Sequence, residues 1–168
     1  MKEIEVKLTY TSKAAVRTKL KNVGAHHTKT IHIRDTYFSL LGNDMSNSKD
    51  LVRIRQIDNI SPELTFKGNC VDKKGVWDRT EINVGVHSYE KMSLILLSLG
   101  LKIIRENETT REYWGIKDLE VVFMDFEKPQ KLEIMEVEGR SMSEINDFVN
   151  KLGSSVKVVG EEVFSLFD

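Results

Sequence analysis

The feature that most constrains this chain is an alternation of charge and hydrocarbon that returns in strand after strand. In Lys2-Glu3-Ile4-Glu5-Val6-Lys7-Leu8, positions 3, 5 and 7 are charged and positions 4, 6 and 8 are apolar. Successive side chains of a strand point to opposite faces, so Glu3, Glu5 and Lys7 share one face and Ile4, Val6 and Leu8 the other. The pattern recurs in 51–57 (Arg53 and Arg55 against Val52 and Ile54) and in 63–67 (Lys67 against Leu64 and Phe66). It recurs again in 76–84 (Arg79 and Glu81), in 109–114 (Arg111), in 118–126 (Asp125) and in 132–138 (Glu136 and Glu138 against Met135 and Val137). Two folds satisfy such a chain. An open sheet keeps its charges in water and packs its apolar face on helices; a sheet closed into a barrel turns the charges inward and carries the helices outside.

The rest of the chain supplies those helices and the turns. Ala15, Val16, Leu20 and Val23 have helical spacing in 13–23, behind Thr11 or Ser12 as N-cap and before Gly24. Met92, Ile95, Leu96 and Leu99 do the same in 88–99, stopped by Gly100, and a third helix opens at Ser141, in capping-box spacing with Glu144, and ends at Gly153. A strand is expected at 31–40 with His32, Asp35, Tyr37 and Phe38, two strand pieces at 101–105 and 109–114 around an irregular 106–108, and a short strand at 156–159. Loops or turns are expected at 42–48, 58–62, 68–75 and 127–130, and a helical turn at 161–167. Strand, helix ending in glycine, and tyrosine strand occur twice (3–38 and 81–114), which hints at two pseudo-symmetric halves.

Charge balance narrows the function. With 25 basic and 26 acidic residues, the chain lacks the basic excess of a dedicated nucleic-acid or membrane-surface binder. It has a single cysteine, Cys70, so no internal disulfide forms. It opens directly into a strand without a signal peptide, has no apolar run long enough for a membrane span, and has only two prolines. The expectation is a cytoplasmic protein whose residues 1–168 form one domain. His26, His27 and His32 lack the cysteine or spaced carboxylate that would suggest zinc, and Cys70 has no histidine near it in sequence to make it a nucleophile. Trp77 and Trp114 read as packing groups of the sheet.

A closed sheet full of charge is costly unless the charges pair, bind ligand and stay hydrated. It makes sense as a wet tunnel for a charged ligand. Half a dozen basic groups suit a polyphosphate, because guanidinium forks match phosphate oxygens and lysine adds point charge. Glu3, Glu5, Glu136 and Glu138 would repel that ligand unless Mg²⁺ or Mn²⁺ bridges them to the phosphates. No glycine-rich phosphate loop occurs, so side chains must do the gripping.

At this point the residues resemble a known family. Glu3-x-Glu5-x-Lys7 is similar to the opening signature of the CYTH superfamily, the triphosphate tunnel metalloenzymes. The resemblance continues in order through Asp35-Thr36-Tyr37-Phe38, Arg53-Ile54-Arg55, Leu64-Thr65-Phe66-Lys67-Gly68, Arg79-Thr80-Glu81, Asp125 and Met135-Glu136-Val137-Glu138-Gly139. It implies an α+β fold, an antiparallel closed β-barrel with helices packed outside. It also implies that Glu3, Glu5, Glu136 and Glu138 form the metal site with Asp125 and Glu81 in support, and that Lys7, Arg53, Arg55, Lys67, Arg79 and Arg111 bind phosphate. Two departures stand out. Thr109 occupies a position that is usually lysine, leaving that contact absent or supplied by Arg105, and the hairpin before the last Glu pair lacks the usual glycine. Glu133 has the opposite parity to Glu136, so a slip in register would exchange them.

The implied activity is divalent-metal chemistry on a triphosphate. The segment 32–38 resembles class IV adenylyl cyclases somewhat more, which tilts the expectation toward ATP giving cyclic AMP and pyrophosphate. A triphosphatase acting on inorganic or thiamine triphosphate is the alternative, and a non-catalytic polyphosphate- or nucleotide-binding module, motivated by Thr109, is the third reading. The partner is a small triphosphate rather than a nucleic acid or membrane, and a homodimer is admitted.

Overall fold

The computed structural model describes the backbone of residues 2–40, 50–58, 60–72 and 76–160, and the side chains of these except 2, 3, 40, 69–72 and 76–79. The fold is α+β: among the described residues, three α-helices lie on a mostly antiparallel sheet of nine strands. In chain order these are β1 (Lys2–Tyr10), α1 (Lys13–Asn22), β2 (His26–Leu40), β3 (Leu51–Ile57), β4 (Ile60–Asp72), β5 (Val76–Gly85) and α2 (Tyr89–Ser98). There follow β6 (Leu101–Ile116), β7 (Leu119–Lys128), β8 (Leu132–Gly139), α3 (Met142–Leu152) and β9 (Val156–Val159).

The strand order is β5-β4-β3-β2-β6-β7-β8-β1-β9, and β5 pairs in addition with β1. Strand β1 is the seam: Ile4–Leu8 pairs with β8, Lys2–Val6 with β5 and Lys7–Tyr10 with β9. Each of β1 to β8 therefore has a partner along both edges. The strand–helix–strand units β1-α1-β2 and β5-α2-β6 meet through β1–β5 and β2–β6, the topology expected of two related halves.

Apolar burial fixes which face of the sheet the helices cover. Val6 and Leu8 of β1, Val121 and Phe123 of β7, and Met135 and Val137 of β8 pack on Val16 and Leu20 of α1 and on Ile145, Phe148 and Leu152 of α3. On another stretch of the same outer side, Phe38 and Ile54 pack on Leu96 of α2, with Val52, Leu64 and Met92 around them. Burying each such side chain contributes roughly 1.5–3 kcal/mol, and a one-residue slip would expose the whole row, so the charged parity is held on the face away from the helices, the inner face if the sheet closes. The helices start where their caps dictate: Ser12, Ser88 and Ser141 accept from the backbone N–H of Ala15, Lys91 and Glu144.

Several local expectations change. The loop expected from 68 is strand as far as Asp72, with the register shifting between Gly68 and Val71, because a glycine inside a strand permits a bulge rather than ending the pairing. The two pieces around 106–108 are one 16-residue strand, β6, whose irregularity is absorbed as shifts at Glu108/Thr109 against β7 and at Tyr37/Phe38 against β2. The loop at 42–48, the helical turn at 161–167, and the side chains of Cys70 and Trp77 lie outside the described residues. Among the described residues no helix is long and apolar enough to cross a membrane.

Candidate functional site

Strands β2, β3 and β6 bring three arginines around one carboxylate. Register sets Asp35 beside Arg55 and Tyr37 beside Arg53 across β2–β3, and Ile31 beside Arg111 across β2–β6. Asp35, only 1% exposed, accepts from Arg55 Nε and Nη2 at 2.8 Å each, one bond to each oxygen. Arg53 Nε stands 3.9 Å and Arg111 Nη2 3.8 Å from the same carboxylate. Burial alone would raise the Asp35 pKa, but Arg55, Arg53 and Arg111 overrule it and hold the carboxyl well below the usual range. Arg53 also donates from Nη2 to Thr65 Oγ1 at 3.0 Å and lies 3.8 Å from Glu81. The Nε–H groups of both Arg53 and Arg111 are buried with no acceptor among the described residues.

The adjoining part of the inner face is acidic. Lys7 on β1 lies between Glu5 at 2.7 Å and Glu136 of β8 at 2.5 Å, and Lys67 of β4 meets Glu81 of β5 at 2.6 Å. Burial opposes the ionisation of Glu136, yet Lys7, Arg111 and Lys67 pull its pKa down to about 2. Glu138 goes the other way: burial first, then the charges of Glu5, Glu120, Glu136 and Glu81, push its carboxyl up to about 7. Glu136 thus feels Lys67 although β1 and β5 stand between their strands, and Glu138 feels Glu81 across β1. The charged groups of these strands thus act on one another over more than one strand spacing.

Of the residues expected at the site, Glu5, Lys7, Arg53, Arg55, Lys67, Glu81, Arg111, Glu136 and Glu138 come together. Glu3 and Arg79 are opposite each other in the β1–β5 register, but their side chains lie outside the described residues. Asp125 does not join them. It shares the outer parity of Val121 and Phe123, faces Glu133 across β7–β8, and is held 2.5 Å from Lys13 of α1. Tyr10 donates to Glu133 at 3.2 Å on that outer side, which settles the parity of β8 in favour of Glu136 and Glu138 inward. Thr109 is buried, 1% exposed, opposite Ile33.

The reading from sequence gave no role to Asp35 or Glu120. Asp35 shares strand parity with Tyr37 and could have been found from that. Glu120, opposite Glu138 in the β7–β8 register, precedes Val122 and Met124 on the same face, so the alternation of β7 pointed to an apolar row. The histidines do not form a site: His26 and His27 are exposed, and His32 stands 3.9 Å from Glu127. Trp114 is buried in the outer core and donates its indole N–H to Glu112 at 2.7 Å. Among the described residues no three His, Cys, Asp or Glu side chains already converge at ligand distance. The carboxylates of Glu5, Glu81, Glu120, Glu136 and Glu138 are nonetheless an all-oxygen set whose mutual repulsion shows in Glu138, which fits a hard divalent cation.

Comparison with known proteins gives the following. The CYTH domain profile matches residues 1–163. A Methanocaldococcus jannaschii protein named "putative adenylate cyclase" is 31% identical over 147 residues, 88% of this chain and 81% of that one. A solved Pyrococcus horikoshii structure superposes with a TM-score of 0.77 at 22% identity, covering 92% of this chain and 94% of its own. A Hippeastrum protein, described as a "putative adenylyl cyclase" with a dominant triphosphatase activity, has a TM-score of 0.74 at 18% identity over 98% of this chain and 94% of its own.

Proposed function

We propose, from the premise that the chain belongs to the CYTH domain family, that it is a divalent-metal-dependent enzyme acting on the triphosphate of a small molecule. On this reading residues 1–168 are one domain, and the sheet closes as a barrel whose inner face is the tunnel. Partners along both edges of β1 to β8 and the coupling of Glu136 to Lys67 support that closure.

The observation that carries the reading is the pair of buried, unpartnered Nε–H groups on Arg53 and Arg111. A buried donor without an acceptor costs roughly 1–3 kcal/mol, more for a charged group, and two on guanidiniums standing 3.9 and 3.8 Å from one carboxylate would be satisfied together by an anion with several oxygens. Lys67 adds positive charge from the next strand. The carboxylates on β1, β7 and β8 would hold Mg²⁺ or Mn²⁺ beside the phosphates, and Glu138, whose carboxyl is pushed up to about 7, would give up its proton to such a cation. The bound metal would neutralise phosphate charge and polarise the phosphorus under attack. The protein's own contribution is to orient the chain of phosphates and keep it in line for displacement.

Two reactions fit that frame. In the first, favoured by the segment 32–38 and by the name of the Methanocaldococcus relative, the ribose 3′-hydroxyl of ATP attacks the α-phosphorus and pyrophosphate leaves. In the second, supported by the activity described for the Hippeastrum protein, water attacks the terminal phosphorus. Incubation with ATP, inorganic triphosphate and thiamine triphosphate, with Mg²⁺ or Mn²⁺, distinguishes them by product: cyclic AMP and pyrophosphate for the first, orthophosphate for the second. Absence of turnover on all three with both metals would overturn the enzyme reading and leave a binding module.

A further inference from the structure

We infer that Asp35 is a positioning residue, which commits Arg55 to the protein's own scaffold and leaves Arg53 and Arg111 to grip the anion. The assignment rests on the triphosphate reading above and divides labour among residues that the sequence treats alike. Arg55 offers Nε and Nη2 to Asp35 as a fork, each bond at 2.8 Å, which is the edge a phosphate would otherwise take. Arg53 and Arg111 stand 3.9 and 3.8 Å from that carboxylate, beyond hydrogen-bond reach, and each keeps a buried Nε–H without an acceptor. Their Nε–H donors are left for an acceptor from outside the cluster; the fork of Arg55 already has its acceptor in Asp35. Asp35 also cancels one positive charge of a cluster of three guanidiniums. It keeps the cluster from flying apart when empty, and it repels the phosphates that enter.

Isothermal titration of inorganic triphosphate into the full chain, with a chelator present so that no turnover occurs, tests this. Asp35→Asn should bind triphosphate about tenfold or more tightly than wild type, because a repelling charge is gone from a poorly screened site. A merely structural Asp35 would give the opposite, since a destabilised protein binds no tighter. Asp35→Asn also leaves three buried guanidiniums with less compensation and could fail to fold. The double variant Asp35→Asn/Arg55→Gln restores the charge balance and carries the test by itself. It should bind within about threefold of wild type, whereas Arg53→Gln and Arg111→Gln should each lose about ten- to a hundredfold. A double variant as weak as Arg53→Gln would show that Arg55 grips the anion and would overturn the assignment, as would a folded Asp35→Asn that binds no tighter. Wild type that does not bind triphosphate at all would remove the triphosphate reading and this assignment with it; wild type that binds beside a crippled double variant removes the assignment alone.

Discussion

Replacing Lys7 by methionine removes one buried cation while keeping most of the side-chain volume. Lys7 is 5% exposed, with Nζ 2.7 Å from Glu5 and 2.5 Å from Glu136. Burial alone would pull its pKa down, but Glu136 and Glu5 overrule it and hold the ammonium well above the ordinary lysine value, so it is charged wherever the protein folds. Breaking a buried pair from one side costs about 3–5 kcal/mol. Glu136 retains Arg111 and Lys67 as neighbouring cations, which places the expected loss at the lower end, about 3 kcal/mol. For a domain of this size that is a fall of about 6–12 °C in melting temperature. Calorimetry and urea unfolding at pH 7, in a chelator, measure it. Adding Mg²⁺ or Mn²⁺ should restore more stability to Lys7→Met than to wild type, because two freed carboxylates then bind the ion. A loss under about 1 kcal/mol would place Lys7 among ordinary surface ion pairs and refute the reasoning.

Glu138 gives a prediction of opposite sign. Its folded pKa, about 7, lies above the ordinary 4.5, so its contribution to stability is present below pH 4.5 and lost as pH rises through 7. In a chelator, Glu138→Gln should therefore match wild type near pH 4.5 and melt higher at pH 8, followed by circular dichroism; a lower melting point at pH 8 would contradict this. Asp125→Asn should leave turnover within about twofold of wild type, since Asp125 sits on the outer side with Lys13, and a hundredfold loss would return it to the site. Glu112→Ala removes the acceptor for Trp114 Nε1 and the partner of Arg17, and should cost about 1–3 kcal/mol in urea unfolding with kcat/KM unchanged.

What could be read from the sequence was whatever period two controls. Glu5, Lys7, Arg53, Arg55, Lys67, Glu136 and Glu138 fell on one face because the apolar partners at alternate positions had to be buried, and that argument needs no knowledge of which strands meet. Asp125 escaped it. The charge at its position follows Phe123 on the helix side, and only pairing with Glu133 and contact with Lys13 show that a polar residue ends an otherwise apolar row. Glu120 was hidden for the mirror reason, one acid at the end of an apolar inner row. The central role of Asp35 needed three dimensions: a strand pattern places it inward but cannot say that arginines from β3 and β6 arrive at the same carboxylate. The strand bounds missed at Gly68 and at 106–108 are bulges, where the chain keeps pairing while its local pattern breaks.

The seam at β1 bears on how the protein is made. Lys7 and Glu136 are 129 residues apart in the chain, yet their strands are hydrogen-bonded neighbours. At synthesis rates of roughly 5–20 residues per second, β1 waits on the order of ten seconds before β8 exists. During that time its hydrocarbon row, Ile4, Val6 and Leu8, is available to any other strand edge in the cell. Such long-range pairing also folds slowly once the chain is complete. The alternate row of Glu3, Glu5 and Lys7 then acts as a gatekeeper against aggregation, because stacking identical strands would bring like charges together. Variants that neutralise this row would be born at risk before any ligand is met.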